Sequence, residues 1–510
     1  PPRDVATVGL RRALGNAGRA VRLGVRASRG WLIGNAAATL VAAFIPVATV
    51  WLLKSVLDDL TGDGRLAVAA SAVAGLVLTG LLAAVLPSLS EYLHNEVGRR
   101  VGRQAQSELY TATARLHGLG RLEDPAFHDR LRTAQAAGRS SPGQVIHGLL
   151  GTGQLAITVG GLVVVLAAIS PAIAALNLLG LVPMLLAEVR LSRARANMLW
   201  RISPHERREF FYAELQSSIP AAKEMRLLGL SEPFRRRMLD QLAASDHHRR
   251  RLDGRQLRVQ FSLSLMSALV LAGALWWAVR SAASGRLTVG DVAALVAAIA
   301  AVQGTLASLV GRVSSVHHSL LMYDHFRAVL EAEPDLPLPA DPRPVPELRH
   351  GIELRDVWFR YAPDQEWVLR GVDLRIPYGA AVGLVGLNGE GKSTIVKLLC
   401  RFYDPDRGAV LWDGVDLREL DIAALRERIG VLFQDYMRYE LTAAENIGLG
   451  DLAALADDER IRAAAGRAGI DSVLNGLPRG YRTMLSRTFR PDAPDEADEA
   501  STGALLSGGQ

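Results

Sequence analysis

Apolar positions along this chain gather into six long runs and then thin into short alternating patterns. The runs cover residues 31–53, 66–89, 145–169, 171–189, 263–283 and 289–310. Each is close to the ~20 helical residues that cross a bilayer's hydrocarbon core. One such run would suit a buried helix of a soluble core, but six in regular order predict a membrane bundle. Pro171 stands where the third and fourth runs meet, so Ser170-Pro171 predicts a tight turn rather than a kink. Residues 91–115 and 193–208 keep helix-forming composition with few breakers, which carries the spans on as helices beyond the membrane. The proline-rich stretch 334–346 then excludes helix and central strand and predicts an extended linker. From Ile352 short strand-like runs return, and residues 381–385 predict a strand leading into a glycine-rich turn and a helix opening at Ser393.

Charge orients the spans. Arg11, Arg12, Arg19, Arg22, Arg26 and Arg29 precede the first run, and arginines crowd the second-to-third and fourth-to-fifth connections. The other three connections are short and poor in basic residues. The positive-inside rule therefore predicts both termini, both long connections and the region after residue 334 in the cytoplasm. A mean hydropathy of +0.15 agrees with a membrane protein, and the net charge of +6 with pI near 9.6 does not predict a nucleic-acid partner. The basic residues flank spans instead of forming a stripe beside a recognition motif. Residues 1–30 space arginines helically among Val, Leu and Ala, as a basic helix lying on a membrane surface does; a cleaved signal peptide fits worse, because the long first run would have to be its short apolar region. The lone cysteine, Cys400, excludes an intrachain disulfide and reads as a packed core residue. Arginine far outnumbers lysine (Lys54, Lys223, Lys392 and Lys397 only), which suggests a high-GC bacterium and hence a bacterial plasma membrane.

The turn carries the plainest chemistry. Gly386-Leu-Asn388-Gly389-Glu-Gly391-Lys392-Ser393 lets the backbone turn tightly, so that its N–H groups can point at a polyphosphate. Lys392 can reach the β- and γ-phosphates, and the Ser393 hydroxyl can ligate Mg²⁺. The helix N-terminus adds donors and a favourable dipole. These residues predict a nucleoside triphosphate. The fold class is thus a membrane α-helical bundle of six transmembrane helices with long cytoplasmic extensions, fused to an α/β P-loop domain. Its expected divisions are 1–30 (basic elbow), 31–330 (membrane domain), 331–350 (linker) and 351–510 (nucleotide-binding domain).

Further motifs resemble the ATP-binding cassette (ABC) transporter family, in particular its exporter-type half-transporters, over nearly the whole chain. Tyr361 in Phe359-Arg-Tyr361 matches the family's adenine-stacking aromatic, Gln434 in Val431-Leu-Phe-Gln434 its Mg²⁺- and water-binding glutamine, and Leu506-Ser507-Gly508-Gly509-Gln510 its signature. The resemblance implies ATP and Mg²⁺ as ligands. It implies that Tyr361, Gly386, Asn388, Gly389, Gly391, Lys392, Ser393 and Thr394 hold the nucleotide, with Lys392 and Gln434 serving hydrolysis and Ser393 and Gln434 the metal. It further implies that Ser507, Gly508, Gly509 and Gln510 bind the γ-phosphate held by a second half-transporter. A homodimer is expected, with a heterodimer as the alternative. Glu390 stands where the family has a small residue, and its carboxylate is expected to face solvent, with reduced nucleotide affinity as the rival reading. The second Mg²⁺ aspartate, the general-base glutamate and the switch histidine would follow Gln510, so 351–510 is expected to be the first part of a longer domain.

The resemblance implies ATP-driven transport, with export of a lipophilic or peptidic compound as the leading expectation. A siderophore-type importer, a lipid flippase and a non-transporting ATP sensor remain open. Asn35, Thr158, Asn177, Gln303 and Thr305 can line a cargo cavity or equally serve as helix-packing glue. Two cytoplasmic turning points, 122–129 with Phe127 and 208–214 with Phe210, Phe211 and Tyr212, are expected to dock on the nucleotide domain, one of them on the partner subunit's cassette, with a solvated helical hairpin as the alternative.

Overall fold

The computed structural model describes residues 10–61, 66–486, 503–504 and 506–507. They divide into two units: Pro1–Arg115 with Asp124–Glu333, and Leu116–Glu123 with Pro334–Gln510.

The first unit is helical. Its elements are α1 (Leu10–Thr61), α2 (Leu66–Ala114), α3 (Pro125–Ile169), α4 (Pro171–Ser217), a short α5 (Ile219–Leu227), α6 (Ser231–Ala283) and α7 (Val289–Leu330). α1 leaves helical geometry at Ser28 (φ −166°, ψ 67°), three residues before the first apolar run. Ser170 closes α3 and caps α4, its hydroxyl accepting from the Ile173 N–H, which is how two helices meet across a single residue. α1, α2, α3, α6 and α7 are long and apolar enough to cross a membrane, while α4 offers a shorter apolar run, Pro171–Gly180. The fourth of the six spans is therefore the one the structure leaves open.

Packing in this unit follows membrane rules. The helices approach closely where side chains are small. A Cβ on Gly151 would lie 2.6 Å from the Arg312 guanidinium, and one on Gly24 the same distance from Ile146. Dispersion contacts and interhelical hydrogen bonds hold such faces together when lipid is the solvent. Thr158 supplies one of these bonds, donating to the Ala43 carbonyl at 2.8 Å. Val50, Leu162, Leu166, Leu295 and Ile299 form the buried core. Val164, Leu179 and Trp276 face outward at 68%, 68% and 73% exposure. Apolar residues outside as well as inside suit a bilayer and would be a liability in water.

The second unit contains an antiparallel sheet of β1 (Gly351–Phe359), β2 (Leu369–Pro377), β3 (Arg407–Trp412) and β4 (Val415–Asp416), ordered β2-β1-β3-β4. α8 (Lys392–Leu399) buries Ile395 and Leu398 against Val357, Phe359, Val410 and Trp412 of this sheet. α9 (Ile422–Glu427) adds Leu425 to the same core. A second cluster joins α10 (Ala443–Gly448), α11 (Asp458–Ala468) and α12 (Asp471–Asn475) through Ala443, Ile461, Ala465, Leu474 and Tyr481. The proline-rich stretch forms no helix, as expected, but it is fastened rather than loose. Arg401 donates to the Pro337 carbonyl at 2.9 Å, Trp412 to that of Pro346 at 3.0 Å, and Leu336 and Val345 are buried.

One expectation is corrected here. Residues 381–385 are not a strand; they run without a ladder partner among the described residues, as do 429–433. Both runs are apolar without alternation, the signature of a strand covered on both faces, and such a strand forms only between neighbours that bond it on each side. The described strands pair among themselves and leave Val385 98% and Leu432 87% exposed.

Candidate functional site

The glycine-rich turn is held in shape by glycines in the left-handed region. Gly389 has φ +89° and Gly391 φ +85°, and a Cβ on Gly391 would lie 2.7 Å from Leu369 Cδ2. Gly391 then caps α8, so the free N–H groups of the helix start lie at the turn. Ser393 is the second residue of this helix, and neither its hydroxyl nor the amide of exposed Gln434 has a hydrogen bond among the described residues. Lys392 Nζ donates to the loop's own carbonyls, Gly386 O at 2.8 Å and Leu387 O.

Glu390 is exposed, as expected, and it also bonds within the loop. Its Oε2 accepts the Leu387 N–H at 2.7 Å, and the same oxygen crowds the position a Cβ would take on Gly386. A carboxylate next to backbone donors at a glycine-rich turn gains a charge-assisted bond. The loop therefore bonds to itself at both its cation and one of its amides.

The adenine side is built differently. Tyr361 lies two residues beyond β1, its hydroxyl 3.0 Å from Thr394 Oγ1. Thr394 is 4% exposed, and its side chain anchors the tyrosine. Tyr361 also meets Phe359 and Tyr403 edge-on, with centroids 5.0 and 5.4 Å away. Lys397 Nζ stands 5.2 Å from the Tyr361 ring centre, a cation–π distance.

That cluster reaches Glu123, in the segment Leu116–Glu123 that interrupts the helical unit in sequence and packs as part of this one. Glu123 accepts from Lys397 Nζ at 2.8 Å and from the Tyr403 hydroxyl. Burial pushes the Glu123 carboxyl upward, but these two donors outweigh it and hold the group below the usual glutamate range. Lys397 is lowered by burial and raised more by Glu123, so it ends above the ordinary lysine value. Burial first, then Glu123, pushes the Tyr403 hydroxyl well up. The backbone of the segment is held too. Gly118 N donates to Asp335 at 2.9 Å, Leu119 N to Phe402 O at 3.1 Å, and Arg426 Nη2 to His117 O at 2.7 Å.

Sequence reasoning did not single out Lys397, Tyr403, Arg426 or Asp335. The available signal was that Lys397 is one of four lysines and lies one helical turn past the phosphate loop. The aromatics of the two turning points belong to α3 and α4 of the helical unit. Phe127 is buried in α3, Phe210 sits 3.8 Å beneath the Arg132 guanidinium, and Phe210 and Phe211 are 45% and 55% exposed. Of the signature, Leu506 packs on the α10–α12 cluster and Ser507 is exposed. Gly508, Gly509 and Gln510 lie outside the described residues. Cys400 is buried and its thiol is pushed up by that burial.

In the helical unit a cavity of about 390 Å³ opens between α4, α6 and α7, with Asn177, Gln260, Ser264 and Gln303 as polar lining among apolar residues. Gln303 donates to Ser267 O at 3.1 Å and Asn177 to Ile173 O at 3.1 Å. Thr305 bonds back to Ala301 O at 2.7 Å.

Residues 32–306 match the family description of the ABC transporter transmembrane region, and residues 369–493 that of the ABC transporter. The chain is 22% identical to the subtilin transport ATP-binding protein SpaT of Bacillus subtilis over 92% of its own length and 75% of the relative's. It is 33% identical to an ATP-dependent lipid A-core flippase of Chromohalobacter salexigens, over 49% of this chain and 40% of that one. Its fold is similar to that of a bacterial Atm1-family ABC exporter with ATP bound, at 20% identity and a TM-score of 0.76, covering 90% of this chain and 81% of that one.

Proposed function

Because the chain belongs to the ABC transporter family, with its membrane and ATP-binding regions on one polypeptide, we propose that it is one half of an ATP-driven exporter in a bacterial plasma membrane. The observation that carries this reading is Leu116–Glu123. A segment lying between two membrane-crossing helices folds as part of the nucleotide unit and bonds to the residues that hold Tyr361.

The steps follow from the site. Adenine stacks on the open face of Tyr361, a contact worth about 1 kcal/mol and tolerant of the base. The triphosphate takes over the loop amides, and Lys392 exchanges its two carbonyls for phosphate oxygens. Ser393 and Gln434 present the hard oxygens that suit Mg²⁺, whose charge would offset that developing on the phosphates. Ser507, Gly508, Gly509 and Gln510 of a second copy close on the γ-phosphate, so ATP joins two cassettes. Glu123 passes that closure to α2 and α3, and the spans switch from inward- to outward-facing with both termini cytoplasmic. The two relatives' names, subtilin transport and lipid A-core flippase, support carriage of a compound over an ATP sensor, and the mostly apolar cavity beside Asn177 and Gln303 supports a lipophilic or peptidic cargo.

Reconstitution of the full-length protein in vesicles tests this. ATP on the cytoplasmic face should drive vectorial movement of an amphiphilic dye, and Lys392→Ala should stop it. Nucleotide binding without any movement, across a panel of amphiphiles and peptides, would favour the sensor.

A further inference from the structure

Three basic or donor-bearing side chains from three helices meet near the cytoplasmic ends of their apolar runs. Arg312 of α7 donates from Nη1 to His147 Nε2 of α3 at 2.9 Å. A guanidinium can only donate, so Nε2 accepts and this imidazole carries its proton on Nδ1. His94 of α2 lies against His147, with ring centroids 3.8 Å apart and planes tilted by 41°. All three side chains are half-buried. Arg312 lies two residues beyond the run 289–310, His94 five beyond 66–89, and His147 two inside 145–169. At 1.5 Å per helical residue, that places each within about 8 Å of a span's end.

The pairing is unusual for a buried cation. Half-buried guanidinium groups ordinarily meet a carboxylate, because desolvated charge is costly when unpaired. Arg312 forms no ion pair among the described residues, and its bond goes to a neutral ring. Glu91, one turn before His94 on α2, is the carboxylate that acts on the cluster, and it does so through His94. The slot for Arg312 is also built. A Cβ on Gly151 would lie 2.6–2.8 Å from three of its side-chain atoms, so α3 has a gap where the guanidinium lies. The polar pair Ser319–Gln144, at 3.2 Å, continues the same α3–α7 seam toward the cytoplasm.

We propose that Arg312, His147 and His94 form an anion site at the inner end of the bundle, which takes the phosphate or carboxylate head of an amphiphile whose tail lies along the helices. The guanidinium supplies a planar fork matched to two oxygens, and His94 supplies a further N–H. The site rests on the membrane reading of the bundle and not on export, because its readout is binding.

The test uses the full-length protein in phosphatidylcholine nanodiscs, titrated with dodecyl phosphate and with dodecanol as the uncharged match. Dodecyl phosphate should bind at least tenfold more tightly than dodecanol. Arg312→Ala should erase that gap, Arg312→Lys should restore part of it, and His94→Gln should narrow it severalfold should Arg312→Ala fail to fold. Equal affinity for the two probes in the parent, or a gap unchanged in Arg312→Ala and His94→Gln, would overturn the site. Adding phosphatidylglycerol then identifies the source. Competition with the probe assigns the natural anion to bilayer lipid, absence of competition assigns it to a transported amphiphile, and either result upholds the site. Loss of ATP-driven transport with this gap intact would count against the export reading alone.

Discussion

The two ends of the proposed nucleotide site, the adenine end at Tyr361 and the phosphate end at the glycine-rich turn, are prepared in opposite ways. At the adenine end Tyr361 is fixed by Thr394, braced by Phe359 and Tyr403, and flanked by Lys397, each of these held by a partner of its own. At the phosphate end the groups that would hold ligand are spent on the loop itself, Lys392 on two carbonyls and the Leu387 N–H on Glu390. A platform that gives only about 1 kcal/mol must already be in place to contribute. Strong charge-assisted donors can exchange an internal partner for a phosphate and still gain. The adenine end is also the one bonded to Leu116–Glu123.

The largest effect should come from the phosphate end. Lys392→Ala removes the loop's only side-chain cation. Bonds to charged groups are worth about 1.5–3 kcal/mol each, so ATP affinity should fall about 100-fold or more in a nucleotide titration, with the helical content of the bundle retained. Equal affinity would remove Lys392 from the site. Tyr361→Ala should cost less, about three- to tenfold. Tyr361→Phe separates stacking from anchoring, because it keeps the ring and loses the bond to Thr394. A phenylalanine variant as weak as the alanine one would show that the Thr394 anchor, rather than the ring face, is what matters.

Glu123→Gln tests the connection between the adenine end and the interrupting segment. A partly exposed ion pair of this kind is worth about 0.5–1 kcal/mol. Amide exchange at Leu119, whose N–H bonds to Phe402 O, should therefore speed up about two- to fivefold. The same contact sets a pH dependence. Glu123 is held below its ordinary value of 4.5, so its contribution is full above that value and is lost as pH falls through the lowered one. Lys397 is raised above 10.5, so its share is full below that value and is lost only as pH rises past the raised one. Leu119 protection unchanged through the titration of the Glu123 carboxyl, followed on the same sample and corrected for intrinsic exchange, would mean the ion pair does not hold the segment.

The same contrast explains what could be read from residues alone. Glycines at 386, 389 and 391 with Lys392 and Ser393 are a local pattern, because the turn, the helix start and the chemistry all lie within eight residues. The apolar runs were legible because a lipid environment imposes length and composition on every helix separately. Contacts between distant residues leave no such trace. Glu123 and Lys397 stand 274 positions apart, and only the fold brings them together. At residues 210–212 the aromatics mark a surface, with Phe210 beneath Arg132 of a neighbouring helix and Phe211 exposed, but the segment alone does not say what that surface meets. The strand expected at 381–385 was a pattern read correctly as apolar and incorrectly as paired, since a strand is a property of its neighbours as much as of itself.

Glu390 gives the smallest expected effect and the sharpest test of the contrast. Its carboxylate holds the Leu387 N–H, one of the amides a phosphate would use, and it places a negative charge where a more negative ligand must arrive. Like charges at short range repel by an amount that water and salt reduce to about 1 kcal/mol near a surface. Glu390→Gln removes the charge while keeping the length and an acceptor oxygen, and Glu390→Ala also frees the amide. Both should tighten ATP binding, by about two- to fivefold, and the gain should shrink at high salt for the glutamine variant, whose effect is purely electrostatic. The alanine variant should keep part of its gain in salt, because a freed amide does not depend on ionic strength. Weaker binding in both would mean that Glu390 supports the loop's shape more than it competes for its donors. The phosphate end would then be prepared in advance just as the adenine end is, and the contrast between them would fail.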